Sequence, residues 1–224
     1  MILETHYSLY RYNINEPPTH WNTEYKNPQY VSSSRGAKNS IGAYFFYSKY
    51  ITAVNVGKKA INEFKQSVDG TDRLYITSCN VISEIKLLDL RLSVDSFEPE
   101  YMLDKLYENE IDVLTDDFSH LNPSHSLSEI KDSYQSIRQA KLSGKPLNWE
   151  NESCMKVNSF FCGKSNLLGQ CLTDYENRYK FRSLLKAKGF DGYLFVEEID
   201  DPTICLFGVE HLSGPVHQIV EEQL

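Results

Sequence analysis

The chain has no CxxC pair, no HExxH and no apolar run long enough to span a bilayer, and each absence removes a class of function. Its five cysteines, Cys79, Cys154, Cys162, Cys171 and Cys205, are odd in number and scattered, which predicts free, mostly buried thiols rather than a disulfide framework or a zinc site. The six histidines show no ligand spacing, so no structural metal is expected. Gly163-Lys164-Ser165 is not a phosphate loop, because the upstream glycine of GxxxxGK[ST] is missing. Positive charge is also scarce. Lys and Arg number 23 against 31 Asp and Glu, a net charge of -8 that argues against strongly electrostatic nucleic-acid binding. The opening MILETHYSLYRYN lacks the basic start and apolar core of a signal peptide, so the expected location is the cytoplasm, with no membrane partner. There is no internal repeat and no low-complexity tract.

Aromatic residues, in contrast, are abundant at 12%, and 41% of the 224 residues are hydrophobic, enough for the core of one large domain. The stretch Ser32 to Ala60 passes from a small-residue loop through an aromatic strand into a helix, a unit able to wrap a nucleotide. Gly36 and Gly42 allow positive φ or close approach to a ligand, and Tyr44 to Tyr47 offer rings on both faces of a strand. Ala53, Val54, Gly57, Ala60, Ile61 and Phe64 then recur at helical spacing on one apolar face. An ordinary buried hairpin is the competing reading of this stretch.

Elsewhere, YSLYRYNI (7–14), RLYITSCNV (73–81) and EIKLLDLRL (84–92) read as strands. A helix through Phe181, Leu184 and Leu185 is predicted to stop at Lys188-Gly189. Asp191-Gly192 starts the strand YLFVEE, which is expected to pair with TICLFGV (203–209). Residues 95–172 are polar and mixed, with a helical stretch at Ile130 to Leu142, and read as an insertion or lid. The expected fold is α+β: a single domain over 1–224 with a mixed β core, flanking helices and that polar helical insertion.

An arginine-bearing strand at Leu9-Tyr10-Arg11 comes first. Ser34-Arg35-Gly36 then precedes a strand with Tyr44, and a distal Asp191-Gly192 leads into strands at Tyr193 to Val196 and Leu206-Phe207. This order resembles the ADP-ribosyltransferase superfamily, and within it the RES-domain toxins of bacterial toxin–antitoxin pairs. The resemblance covers Leu9 to Leu90 and Phe181 to Leu212. It departs from RES chains at Asn55, where they carry a helix acid, and at Glu197, where they carry a serine; an acid on the late strand fits the wider superfamily.

The resemblance implies an ADP-ribosyltransferase-like fold and NAD as a substrate, with Tyr10, Arg11, Arg35, Gly42, Tyr44 and Ser48 as its binding residues and Glu197 and Tyr44 as catalytic ones. It further implies a macromolecular acceptor, protein or nucleic acid, and an antitoxin protein as partner. A glycohydrolase or phosphorylase acting on NAD, or an inert module that holds a nucleotide or protein, remain alternatives. The chemistry is consistent with these roles. Breaking the nicotinamide–ribose bond develops an oxocarbenium-like cation that a carboxylate such as Glu197 stabilises. Arg11 or Arg35 suits bidentate contact with pyrophosphate. Tyr44 would stack on nicotinamide, and Ser48 would hydrogen-bond the ribose or amide. Strand alternation predicts Tyr193, Phe195 and Glu197 on the face of the nicotinamide pocket, with Leu194, Val196 and Glu198 packed towards the helix ending near Lys188. Each residue also has a plainer reading: Arg11 and Arg35 as solvated side chains, Tyr44 as core, and Glu197-Glu198 with Asp200 and Asp201 as a solvated turn.

Overall fold

Near-continuous apolar runs on the short strands Gly192–Phe195 and Thr203–Leu206 demand two buried faces, and the chain satisfies both with two sheets and a layer of helices. The structure, a computed structural model, describes residues 1–15, 21, 43–64, 72–91, 101–121, 124–147, 150–160, 178–195 and 201–220. Among these the strands are β1 (Ile2–Leu3), β2 (Ser8–Ile14), β3 (Tyr44–Phe46), β4 (Leu74–Asn80), β5 (Ile85–Asp89), β6 (Gly192–Phe195), β7 (Thr203–Leu206) and β8 (Val216–Ile219). The helices are α1 (Tyr50–Phe64), α2 (Tyr101–Glu108), α3 (Leu127–Leu142), α4 (Glu152–Phe160) and α5 (Arg178–Ala187), with a 3-10 turn at Asp116–Leu121. The fold is α+β, as expected. No described helix is long and apolar enough to cross a membrane.

One sheet runs β1-β5-β6-β7-β3 and the other β2-β4-β8. Within the larger sheet β5 and β6 are parallel, with Leu88 opposite Tyr193, and the other pairs are antiparallel. Parallel neighbours cannot be joined by a tight turn and need a long crossover. Helices α2 to α5 all lie in that crossover. Residues 95–172, expected as an insertion or lid, thus fall within the connection from β5 to β6, and Leu103, Leu106, Ile130, Ile137, Val157 and Phe160 from it are buried against the sheet.

Alternation sorts the core into layers. On the five-stranded sheet, Leu88, Tyr193, Phe195, Cys205 and Phe207 face the helices, while Phe46, Leu87, Leu194, Ile204 and Leu206 face the three-stranded sheet. Both sides being covered, the strands read as continuous hydrophobic runs, and each fully buried Leu or Ile is worth about 1.5–3 kcal/mol. On the smaller sheet, Leu9 and Cys79 face inward, whereas Tyr10, Tyr12, Leu74 and Ile76 pack beneath Ala53 and Val54 of α1.

Tyr193 and Phe195 do not line an open pocket, contrary to the expectation from their aromatic character. Tyr193 packs edge-on to Phe181 of α5 with centroids 5.6 Å apart, and it is Leu194 that turns to the inter-sheet layer.

Helix ends follow local chemistry. Ser126 caps α3 by accepting the Glu129 N–H at 3.2 Å while the Glu129 carboxylate accepts the Ser126 N–H at 2.8 Å. Hydrogen bonds from the Ser126 backbone and hydroxyl hold the Glu129 carboxyl below its ordinary range. Gly189, at φ +73°, ends α5 where Lys188-Gly189 predicted, with Phe190 N–H donating to the Leu185 carbonyl at 3.0 Å and Gly189 N–H to Lys186 at 3.0 Å. Cys79 and Cys205 are free thiols, and these two and Cys154 are buried, in line with the sequence; burial pushes the Cys79 thiol up to about 12 and raises that of Cys205 as well. Cys162 and Cys171 lie outside the described residues.

Two glycines lie where packing is close, and only one of them is required. A Cβ on Gly192 would overlap the backbone carbonyl oxygen of Cys205 across the β6–β7 ladder and lie 2.9 Å from the carbonyl carbon. A Cβ on Gly57 would meet chiefly a terminal methyl of Leu74, which can turn away, and Tyr12 Cβ at 3.0 Å. In urea unfolding, Gly192→Ala is therefore expected to cost about 3 kcal/mol or more. Gly57→Ala should cost under about 1 kcal/mol, because the roughly 1 kcal/mol gain in helix propensity offsets the clash. Equal losses at the two positions would contradict this packing.

Candidate functional site

The two sheets touch edge to edge at one point. Tyr10 N–H donates to the Tyr47 carbonyl at 2.9 Å and Tyr47 N–H to the Tyr10 carbonyl at 2.7 Å. Beyond this bridge β2 continues through Arg11 and Asn13 paired to β4, while β3 runs back through Phe46 and Tyr44 paired to β7. The bridge is antiparallel, so Arg11 and Asn13 lie on the same side of it as Phe46 and Tyr44.

Alternation places Arg11 and Asn13 on the inner face with Leu9, since Tyr10 and Tyr12 belong to the layer beneath α1. Arg11 is opposite Thr77 on β4, and Thr77 is opposite His217 on β8, so the three form one row across the small sheet. Thr77 is fully buried. Its hydroxyl oxygen accepts the Asn13 amide at 2.7 Å and lies 2.9 Å from His217 Nδ1. With Asn13 donating to that oxygen, the Thr77 hydroxyl proton is free to point to His217 Nδ1, an arrangement that places the neutral ring's proton on Nε2.

Arg11 Nη1 is buried and has no hydrogen-bond partner. Leaving a donor without an acceptor away from water costs about 1–3 kcal/mol, and more when it is charged. An anion on this nitrogen removes the penalty. On the same side of the bridge, Tyr44 and Phe46 form an aromatic wall with Trp21, whose ring stands edge-on to both at 6.2 and 5.6 Å.

A second polar group holds the far end of β3. Asp201, just before β7, is 2% exposed; it accepts the Ser48 hydroxyl on one oxygen and the Lys49 N–H, at 3.0 Å, on the other. Ala53 N–H bonds the Lys49 carbonyl at 3.3 Å, so Lys49 stands at the start of α1 and the Asp201 carboxylate lies at the positive end of that helix.

Of the residues singled out in the sequence, Arg11 and Tyr44 are set by strand alternation on the same, inner side of the junction. Ser48 lies at the adjoining end, its hydroxyl engaged by Asp201. Tyr10 does not share the site: its side chain turns to the opposite face and packs edge-on to Tyr50 at 5.9 Å, because it is next to Arg11 on a strand. Arg35, Gly42 and Glu197 lie outside the described residues, as does Glu198. Asp201 is not part of a solvated turn, and its carboxylate is the buried anchor of Ser48. Sequence reasoning also passed over Asn13, Thr77, His217 and Trp21. The i, i+2 relation of Arg11 and Asn13 was a usable signal, whereas the β4–β8 register that brings in His217 was not.

No family model, curated protein or solved structure matches this chain. Among the described residues no group of three or more His, Cys, Asp or Glu side chains could hold a metal.

The Asp201 anchor has a measurable consequence. Asp201→Asn keeps the shape but loses the charge and one of two acceptor positions, and is expected to destabilise by about 1–3 kcal/mol in denaturant unfolding. Combining Asp201→Ala with Ser48→Ala should reveal a coupling of at least about 0.5 kcal/mol in a double-mutant cycle. Strict additivity would mean that the two side chains act independently.

Proposed function

We propose that the protein is an NAD-consuming ADP-ribosyl transfer enzyme that seats the pyrophosphate on Arg11 and the nicotinamide against the Tyr44 wall. One observation carries the reading: a buried guanidinium nitrogen without a hydrogen-bond partner lies on the same side of the junction of two sheets as an aromatic wall. Guanidinium suits a bidentate phosphate contact, and a ring wall suits a flat, cationic heterocycle.

The reaction breaks the bond between ribose C1″ and the nicotinamide nitrogen, and nicotinamide leaves neutral with the bonding pair. The cationic sugar is then captured by a nucleophile of a macromolecular acceptor, whose proton passes to a base or to water. Glu197 is the proposed carboxylate that stabilises the cation. Ser48, its proton given to Asp201, keeps its oxygen lone pairs for a hydroxyl of the substrate. Arg35 and Gly42 are proposed as further binding residues. Water or phosphate as acceptor gives the glycohydrolase or phosphorylase variant of the same chemistry. A cytoplasmic toxin held in check by an antitoxin protein is the biological setting that goes with this reading.

The same anion seat favours a second reading, an inert module that binds a nucleotide without cleaving it, since Arg11 and Thr77 explain affinity and not bond breaking.

Three measurements decide. Purified protein, with and without cell extract, is expected to release nicotinamide from NAD; binding without release favours the inert module. Arg11→Ala should weaken NAD binding roughly 10- to 100-fold in calorimetry, with the fold intact by circular dichroism. Unchanged affinity in a folded variant would sink the assignment of Arg11. Glu197→Gln should lose most turnover while still binding NAD, and Glu198→Gln should be nearly silent. The reverse result transfers the role to Glu198, and full activity in both removes this pair from the mechanism. Expression without a neutralising partner should also arrest bacterial growth, and normal growth at high soluble levels would count against a toxin.

A further inference from the structure

Three connecting segments meet at the end of the larger sheet opposite Asp201. Ser83 lies between β4 and β5, Asp191 between α5 and β6, and His211 between β7 and β8. Ser83 Oγ is 2.6 Å from His211 Nδ1, and His211 Nε2 is 3.9 Å from Asp191 Oδ1. The other Asp191 oxygen accepts the Lys86 N–H at 2.8 Å, which fixes the carboxylate. Backbone pairing also fixes the other two residues: Ile82 N–H donates to the His211 carbonyl at 2.8 Å, and Val81 bridges Leu212. Asp191 immediately precedes Gly192, whereas Asp201 lies beyond the Phe195–Thr203 pair, so the four residues of β6, roughly 13 Å at 3.3 Å per residue, separate the two groups.

A hydroxyl within hydrogen-bond reach of an imidazole, which in turn faces a carboxylate, is the arrangement that makes a serine nucleophilic. In the tautomer whose Nδ1 accepts the Ser83 proton, the ring's own proton is on Nε2, the nitrogen 3.9 Å from Asp191 Oδ1. We propose that Ser83 is an acylatable nucleophile, activated by His211 and oriented through it by Asp191, which accepts acyl groups from small activated esters. Ser83 is exposed, so the reacting carbonyl needs no opening of the fold to reach it.

In the step, Oγ bonds to the ester carbonyl carbon as its proton passes to Nδ1. The carbon–oxygen bond to the leaving group then breaks, and that oxygen departs with the proton from Nδ1. Water, deprotonated by the same nitrogen, cleaves the acyl-serine to acid and free Ser83. No oxidant or reductant enters.

The test uses the full chain with a fluorophosphonate probe and p-nitrophenyl acetate. One equivalent of label is expected on Ser83 by peptide mass mapping, and none there in Ser83→Ala. His211→Gln should slow labelling and ester hydrolysis about 100-fold, the lower range of general-base contributions. Asp191→Asn should lower kcat with KM unchanged, as befits a positioning residue. If that variant fails to fold because Lys86 loses its acceptor, the half-exposed His211 variant still decides. Label spread over several surface serines, or undiminished in His211→Gln, would overturn the proposal. Ser83→Ala should leave NAD affinity unchanged, so this site and the one at Arg11 stand or fall separately.

Discussion

Two backbone hydrogen bonds between Tyr10 and Tyr47 are the constraint on which the geometry between the sheets depends. They join the edge strands β2 and β3, which otherwise belong to separate ladders, and from that point alternation dictates every side chain's layer. Arg11 and Tyr44 face one another's side of the junction because each lies an odd number of residues from its bridge residue. A register slip of one in β2 would exchange Arg11 for Tyr10 and bury a charge beneath α1. The hydrophobic residues Leu9 and Cys79 on the inner face, and Leu74 and Ile76 beneath α1, oppose such a slip.

The parallel pairing of β5 with β6 has the second largest consequence. It requires a long crossover, and this chain uses that length to supply four helices whose apolar residues share one core with the outer face of the five-stranded sheet. Coverage on both faces lets Gly192–Phe195 and Thr203–Leu206 be buried throughout. It also makes Gly192 necessary, since the β6–β7 ladder leaves no room for a Cβ beside the Cys205 carbonyl.

Polar groups are distributed unevenly over this frame. At Asp201 the buried carboxylate is satisfied by Ser48 and the first turn of α1, which favours folding. At Arg11 a buried donor is left without an acceptor, which opposes it. That cost stands beside a neighbouring network of Asn13, Thr77 and His217 that is well bonded.

Local patterns were sufficient for much of the fold. Strand-like apolar runs bounded by turn residues marked β2, β4, β5, β6 and β7; spacings of three and four marked α1; and Lys188-Gly189 marked the end of α5, because these depend on near neighbours along the chain. The short strands β1 and β8 were not legible: two and four residues carry too little periodicity, and β8 exists only because β4 offers an edge. For the site, the sequence determined which residues could bind an anion and which rings could form a wall. Only the tertiary structure decided that Tyr10 turns away, that Tyr193 and Phe195 pack on α5, that Asp201 is buried, and that His217 and Ser83 acquire partners more than a hundred residues distant. The physical reason is that alternation assigns residues to opposite faces without saying which face meets which layer, and that choice is made by the volumes the layers must fill.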